Sequence, residues 1–198
     1  MIKTILKMGV IATTMLVSQA NASILTYQYT GTGSGTIGSE SFSDNYFVIN
    51  QLVDTDAIQS CGGGCSFIDD ISTSITLSGF GTYNFATGLR TFDNTGRVGL
   101  SREGVHGLDL YNIFDVGTTW DMTTPTAVIA NPYANLIQWT FNSPVLLDNA
   151  KQLSFTAGGK GSFQAIAAVP EPEQWAMMLL GLPLMGWVAR RKKSQALS

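Results

Sequence analysis

Histidine and cysteine are scarce: the 198 residues contain one of the former and two of the latter. Zinc needs four such ligands as a rule, so a structural zinc site is excluded. A serine triad would need the single His106 as its base, and none of the many serines sits in a G-x-S-x-G elbow. Charge is thin, at 13% of residues. No D-x-[DN]-x-[DN]-G calcium loop and no internal repeat is present. The central part of the chain has no sustained 3.6-residue apolar period, which argues against a helical body. No apolar run reaches the ~20 residues of an ordinary membrane-spanning helix.

What the chain does have lies first at its two ends. Lys3 and Lys7 precede an apolar run from Met8 to Val17, followed by Ala20-Asn21-Ala22. A basic start, a short apolar centre and a small-x-small site at Ala20 and Ala22 predict a signal peptide over residues 1–22, with the mature chain beginning at Ser23, or at Asn21 if Ser18-Gln19-Ala20 is used instead. At the other end Pro170-Glu171-Pro172 leads to an apolar stretch over residues 175–189, then Arg190-Arg191-Lys192-Lys193, then residues 194–198. At ~1.5 Å per residue that stretch reaches about 22 Å, short of the ~30 Å hydrocarbon core. Trp175 and Trp187 suit the two interfaces, and the basic side chains can reach outward. Pro183 predicts a kink. A short, kinked transmembrane helix suits a temporary anchor, and the basic cluster predicts a cytoplasmic C-terminus with the body on the periplasmic side.

Pro-Glu-Pro, a short apolar helix and a basic cluster, in that order, resemble the PEP-CTERM sorting signal of Gram-negative bacteria. The resemblance covers residues 170–193. It implies recognition and cutting by exosortase, transient anchoring in the inner membrane, and final placement at the cell surface or outside the cell. It also implies an association with exopolysaccharide and biofilm, because exosortase substrates accompany exopolysaccharide production. It implies nothing specific about the body, since the bodies of these proteins vary widely.

Residues 23–169 form that body, a length suited to one domain with its own core. They contain twelve acidic and five basic residues, a net charge of −7. Such a balance argues against nucleic acid as a partner. Cys61 and Cys65 flank Gly62-Gly63-Gly64. In an exported protein the pair is expected to be oxidised, and the glycines allow the tight turn this needs. The expected result is a disulfide stapling a loop tip.

The body reads as strands. Leu25, Tyr27 and Tyr29 alternate with polar neighbours, as do Ile71, Thr73, Ile75 and Leu77. Further short strands are expected at residues 46–50, 97–101, 107–113, 126–130 and 135–141. Leu153 and Phe155 open another, and Phe163, Ala165, Ala167 and Val169 line the last. Turns are expected at Gly31–Gly35, Asp93–Gly96, Asn131-Pro132 and Gly158–Gly161. The pattern predicts a single all-β domain, a β-sandwich or jelly roll.

Gly33-Ser34-Gly35-Thr36-Ile37-Gly38 matches G-x-G-x-x-G, but the adjoining Ser39-Glu40-Ser41-Phe42-Ser43-Asp44 is not helical. A hairpin loop is therefore expected there rather than a dinucleotide site. Asp54, Asp56, Asp69, Asp70, Glu103, Asp109, Asp115 and Asp121 are expected to be solvated loop acids. Calcium is the one ion they would suit, and paired acids in a cleft would suit a glycan-active enzyme. Tyr27, Tyr29, Tyr46, Phe47, Tyr83, Phe85, Trp120, Tyr133 and Trp139 are expected to be core rather than a sugar-stacking platform. The body is therefore expected to be a structural or adhesive module with no catalytic residue and no cofactor. A lectin-like sandwich is the alternative, and a polysaccharide-active enzyme the less favoured third.

Overall fold

A computed structural model describes residues 24–104, 109–132, 135–136, 139 and 144–167. The expected signal peptide with Ala20 and Ala22, His106, Tyr133, Val169, Pro170-Glu171-Pro172, the helix at 175–189, Arg190, Arg191, Lys192, Lys193 and residues 194–198 lie outside them. All the described residues belong to one compact unit, which ends at Ala167. None of them forms an α-helix, and no helix among them is long and apolar enough to cross a membrane.

Among the described residues thirteen strands make two antiparallel sheets. The larger contains β1 (Ile24–Ile37), β2 (Glu40–Asp54), β5 (Ser72–Leu77), β6 (Gly81–Asn84), β10 (Ile129–Asn131), β12 (Val145–Leu146) and β13 (Gln152–Ala167), in the order β10-β13-β1-β2-β5-β6, with β12 also on β13. The smaller runs β11 (Asn135–Leu136), β9 (Asp109–Asp115), β8 (Arg97–Arg102), β7 (Leu89–Asn94), β4 (Cys65–Asp69) and β3 (Gln59–Gly62). The chain crosses after β2 through a 3-10 turn at Thr55–Ala57, forms the β3–β4 hairpin, and returns with β5.

One core lies between the sheets. Along β1 strict alternation buries Leu25, Tyr27, Tyr29 and Ile37, as the period-2 pattern requires. Aromatic rings connect the layers. Tyr29 lies 6.1 Å from Tyr111 and 5.0 Å from Phe163 between ring centroids, and Phe47 lies 5.6 Å from Tyr111. Trp139 is buried against Phe155 at 4.7 Å. The 116–128 loop closes one end, with Trp120 packed on Tyr27 and Phe163.

The two glycine-rich segments are corrections to the sequence reading. Gly31–Gly35 is not a turn but the interior of β1, and Gly158–Gly161 is the interior of β13; the two pair as Gly31 with Gly161 and Gly33 with Gly158. The strands expected at Leu153 and at Phe163 are therefore one. The physical reason is room for rings. A methyl on Gly31 would lie 2.6 Å from the Tyr111 hydroxyl oxygen and 2.8 Å from Phe47 Cζ. On Gly33 it would lie 2.7 Å from Phe155 Cδ1. Glycine here lets large side chains pack directly on backbone, and the real turn is at Gly38-Ser39.

Other boundaries also shift. The expected strand at 46–50 is the middle of β2, and that at 126–130 shortens to β10 because Thr126 instead docks on Ala165 of β13. Ile71 is exposed ahead of β5, whereas Thr73, Ile75 and Leu77 are buried. Ala167, at the end of β13, is exposed. The Asp93–Gly96 turn stands: Thr95 and Gly96 both have positive φ in the β7–β8 hairpin, the twist that two-residue hairpins favour.

Candidate functional site

Cys61 and Cys65 sit at bonding distance, their Cα atoms 5.1 Å apart, at the end of the β3–β4 hairpin. The intervening glycines all take positive φ. The pair thus lies at a hairpin end.

The candidate acids do not converge. Asp54 accepts the Asp56 N–H at the 3-10 turn. Asp69 pairs with Arg90 at 2.8 Å. Asp70 accepts from Thr73 Oγ1 and the Leu89 N–H. Asp115 accepts from the Gly117 N–H. Asp121 accepts from Thr123, and those bonds hold its carboxyl below the usual range. Asp54, Asp115 and Asp121 thus serve their own turns, while Asp69 and Asp70 tie β4 and the segment after it to β7. Among the described residues no three His, Cys, Asp or Glu side chains gather as a metal site would need. The G-x-G-x-x-G string runs within β1 and its turn, with β2 rather than a helix after it.

Of the candidate aromatics, Tyr27, Tyr29, Phe47 and Trp139 are core, while Tyr83, Phe85 and Trp120 pack partly buried against it. Tyr46 is the exception, half exposed on the outer face of the larger sheet. Sequence reasoning missed Phe67 and Phe92, which pair across β4 and β7 on the opposite side of the smaller sheet from buried Ile68 and Thr91. The Arg90 guanidinium lies 4.1 Å from the Phe67 ring centroid. Both strands lacked an unbroken alternating apolar run, so only their pairing reveals them.

A buried polar chain links the sheets. Thr91 Oγ1 on β7 donates to Gln51 Oε1 on β2 and lies 2.7 Å from the Tyr29 hydroxyl on β1. That hydroxyl also reaches the Gly99 carbonyl on β8 at 3.2 Å. Burial pushes the Tyr29 phenol well up.

The outer face of the larger sheet has a distinct chemistry. Its rows run across the strands: Gln164, Gln28, Asn50, Ser74 and Asn84 in one, Ser162, Thr30, Val48, Thr76 and Thr82 in the next. Thr26 with Leu52, and Thr32 with Tyr46, extend it along β1 and β2. None of these positions carries a charge. The side chains bond to one another: Gln164 Nε2 donates to Gln28 Oε1 at 2.7 Å, and Gln28 Nε2 to Asn50 Oδ1 at 2.8 Å. Thr30 and Ser162 hydroxyls are 2.6 Å apart, those of Thr76 and Thr82 2.8 Å. Charges border the face at Asp54, the outward position of β2 after Leu52, at exposed Lys160, two residues from Ser162 on β13, and at Asp148, bonded to Asn84.

No curated protein and no solved structure matches the chain. The family model for the PEP-CTERM protein-sorting motif matches residues 168–193, beginning at the residue after β13 ends. The chain therefore carries a PEP-CTERM protein-sorting motif, which marks it as an exported protein processed by exosortase.

Proposed function

We propose that the body is a structural or adhesive module of the extracellular, exopolysaccharide-rich matrix, delivered there by its tail. The precursor is held in the inner membrane by residues 175–189 with its body in the periplasm. Exosortase then acts at Pro170-Glu171-Pro172, and the body passes to the cell surface or beyond. The observation that carries this reading is the sorting motif following, in the sequence, a body whose described residues form two sheets. A non-enzymatic role is supported by the separate partners of Asp54, Asp69, Asp70 and Asp115, which bond to turns or to neighbouring strands.

Replacing Pro170-Glu171-Pro172 by three alanines tests the delivery step. Cell fractionation is expected to find unprocessed protein retained in the inner membrane. Normal release of that variant would overturn the sorting route. Deletion of the whole chain is expected to weaken matrix cohesion, and an unaltered matrix would remove the structural role.

A further inference from the structure

We infer that the uncharged outer face of the larger sheet binds a neutral polysaccharide chain lying flat across the strands. This deepens the matrix reading and rests on it.

Charge selects the class of polymer. The body carries a net charge of −7, yet the rows centred on Gln28 and Thr30 contain no ionised group. Within the rows an anionic polymer finds no counter-charge, exposed Lys160 on β13 being the cation beside them, and it meets a repulsive field over the rest of the body. A polymer without charge meets neither obstacle.

Hydrogen-bonding capacity matches sugar hydroxyls. An amide has two donor hydrogens and an acceptor oxygen with two lone pairs. The relay from Gln164 through Gln28 to Asn50 uses only part of that capacity and fixes the planes of the side chains. What is left over presents donors and acceptors side by side, as sugar hydroxyls require. The hydroxyls of Thr30 and Ser162 are similarly held by each other. Ordering before binding lowers the entropy lost on contact.

Shape decides between a single sugar and a chain. The Gln28 row crosses five strands, which at ~4.8 Å per strand is about 19 Å. Residues 26–32 extend it by about 20 Å along β1. An open face of this size has room for several sugar units. Tyr46, half exposed beside Thr32, offers a ring on which one can stack. A second copy of this chain fits less well. Stable protein interfaces have an apolar centre, whereas on this face amides and hydroxyls separate the apolar side chains of Val48, Leu52 and Ile166.

The test is affinity gel electrophoresis of the full chain in a non-glycosidic detergent. Gels contain hydroxyethyl cellulose, dextran, galactomannan or the polyanion alginate. At least one neutral polymer is expected to retard the protein, and alginate is not. Gln28→Glu and Thr76→Asp, which place charge in adjacent rows, are expected to weaken retardation at least about tenfold. Asp56→Asn, away from this face, is expected to leave it unchanged. Near-UV circular dichroism identifies variants that fail to fold, and Thr76→Asp alters an exposed position should Gln28→Glu be among them. Retardation by none of the neutral polymers overturns the proposal, as does equal retardation of the folded charged variants. A concentration-dependent shift in a polymer-free gel that either substitution abolishes assigns the face to a second copy and overturns it too. Failure here with normal processing and normal matrix cohesion leaves the matrix role standing without this face; failure of cohesion assays removes that role independently.

Discussion

The Tyr29 hydroxyl oxygen lies 2.7 Å from Thr91 Oγ1, the contact by which a buried polar chain passes from one sheet to the other. Thr91 donates its hydrogen to Gln51 Oε1, so the Tyr29 hydrogen serves Thr91 and the Gly99 carbonyl. Thr91→Val is the sharpest perturbation, because it leaves two buried polar groups short of a partner. Its expected cost is about 1–3 kcal/mol. Tyr29→Phe is expected to cost about 1 kcal/mol. Adding Gln51→Leu to Thr91→Val should recover part of the loss, since removing both partners spares the desolvation penalty. Denaturant unfolding measures all of these, and strict additivity of the double variant would show that the residues are not coupled.

The glycine track offers a second test. Gly31→Ala forces a methyl to within 2.6 Å of the Tyr111 hydroxyl oxygen, and overpacking of this kind costs about 1–3 kcal/mol. Gly63→Ala at the hairpin end meets nothing within 4 Å. Its penalty comes only from φ +62, about 1 kcal/mol. Equal losses at the two sites would contradict the close packing of Tyr111 on β1.

Oxidation at Cys61 and Cys65 is checked by intact mass of the exported protein, which should be two hydrogen atoms lighter than the dithiol. The ring is so short that reduction is expected to lower stability only slightly, toward the bottom of the ~0–5 kcal/mol range. Two alkylatable thiols in the exported protein would refute the staple.

Alkaline pH should find the core phenols. Burial raises the pKa of Tyr27, Tyr29 and Tyr111 above the ordinary value, with the Asp121 charge adding to it at Tyr27. The folded state thus holds these protons more tightly than the unfolded chain. Stability is intact below the unfolded value of about 10 and falls as pH rises beyond it. Tyrosinate absorbance should show these groups ionising together with unfolding. Their ionisation in a chain that keeps its far-UV spectrum would contradict their burial.

Asp93 acts near the carboxyl range. Burial raises its pKa, and bonds from the Gly96 and Arg97 backbone oppose the shift. Its stability contribution is therefore present below the unfolded carboxyl value and declines as pH rises through the raised folded one. Asn at position 93 can still accept from the Gly96 N–H. Asp93→Asn is expected to be more stable at neutral pH, with a flatter acid profile. A less stable variant with the same pH slope would contradict this.

Much was legible before folding. Leu25, Tyr27 and Tyr29 announced a strand by alternation alone, and Asp93–Gly96 announced its hairpin, because both depend on neighbours two or three residues apart. Gly31–Gly35 and Gly158–Gly161 were misleading because glycine has two uses. It releases the backbone for a turn, or removes a side chain so that another can approach. Only the position of Tyr111, some eighty residues from Gly31, distinguishes them.

The sorting motif is linear, so the sequence by itself determined the route of this protein: the order, spacing and charge of residues 168–193 are what match the motif. Strand periodicity likewise determined that the body would be all-β. The surfaces of the body were decided by tertiary structure. Gln28, Asn50, Ser74 and Gln164 are scattered through the chain as ordinary polar residues, and become one charge-free row only when antiparallel register sets them side by side. Register depends on pairing between distant strands, and no local pattern encodes which residues will face each other across it.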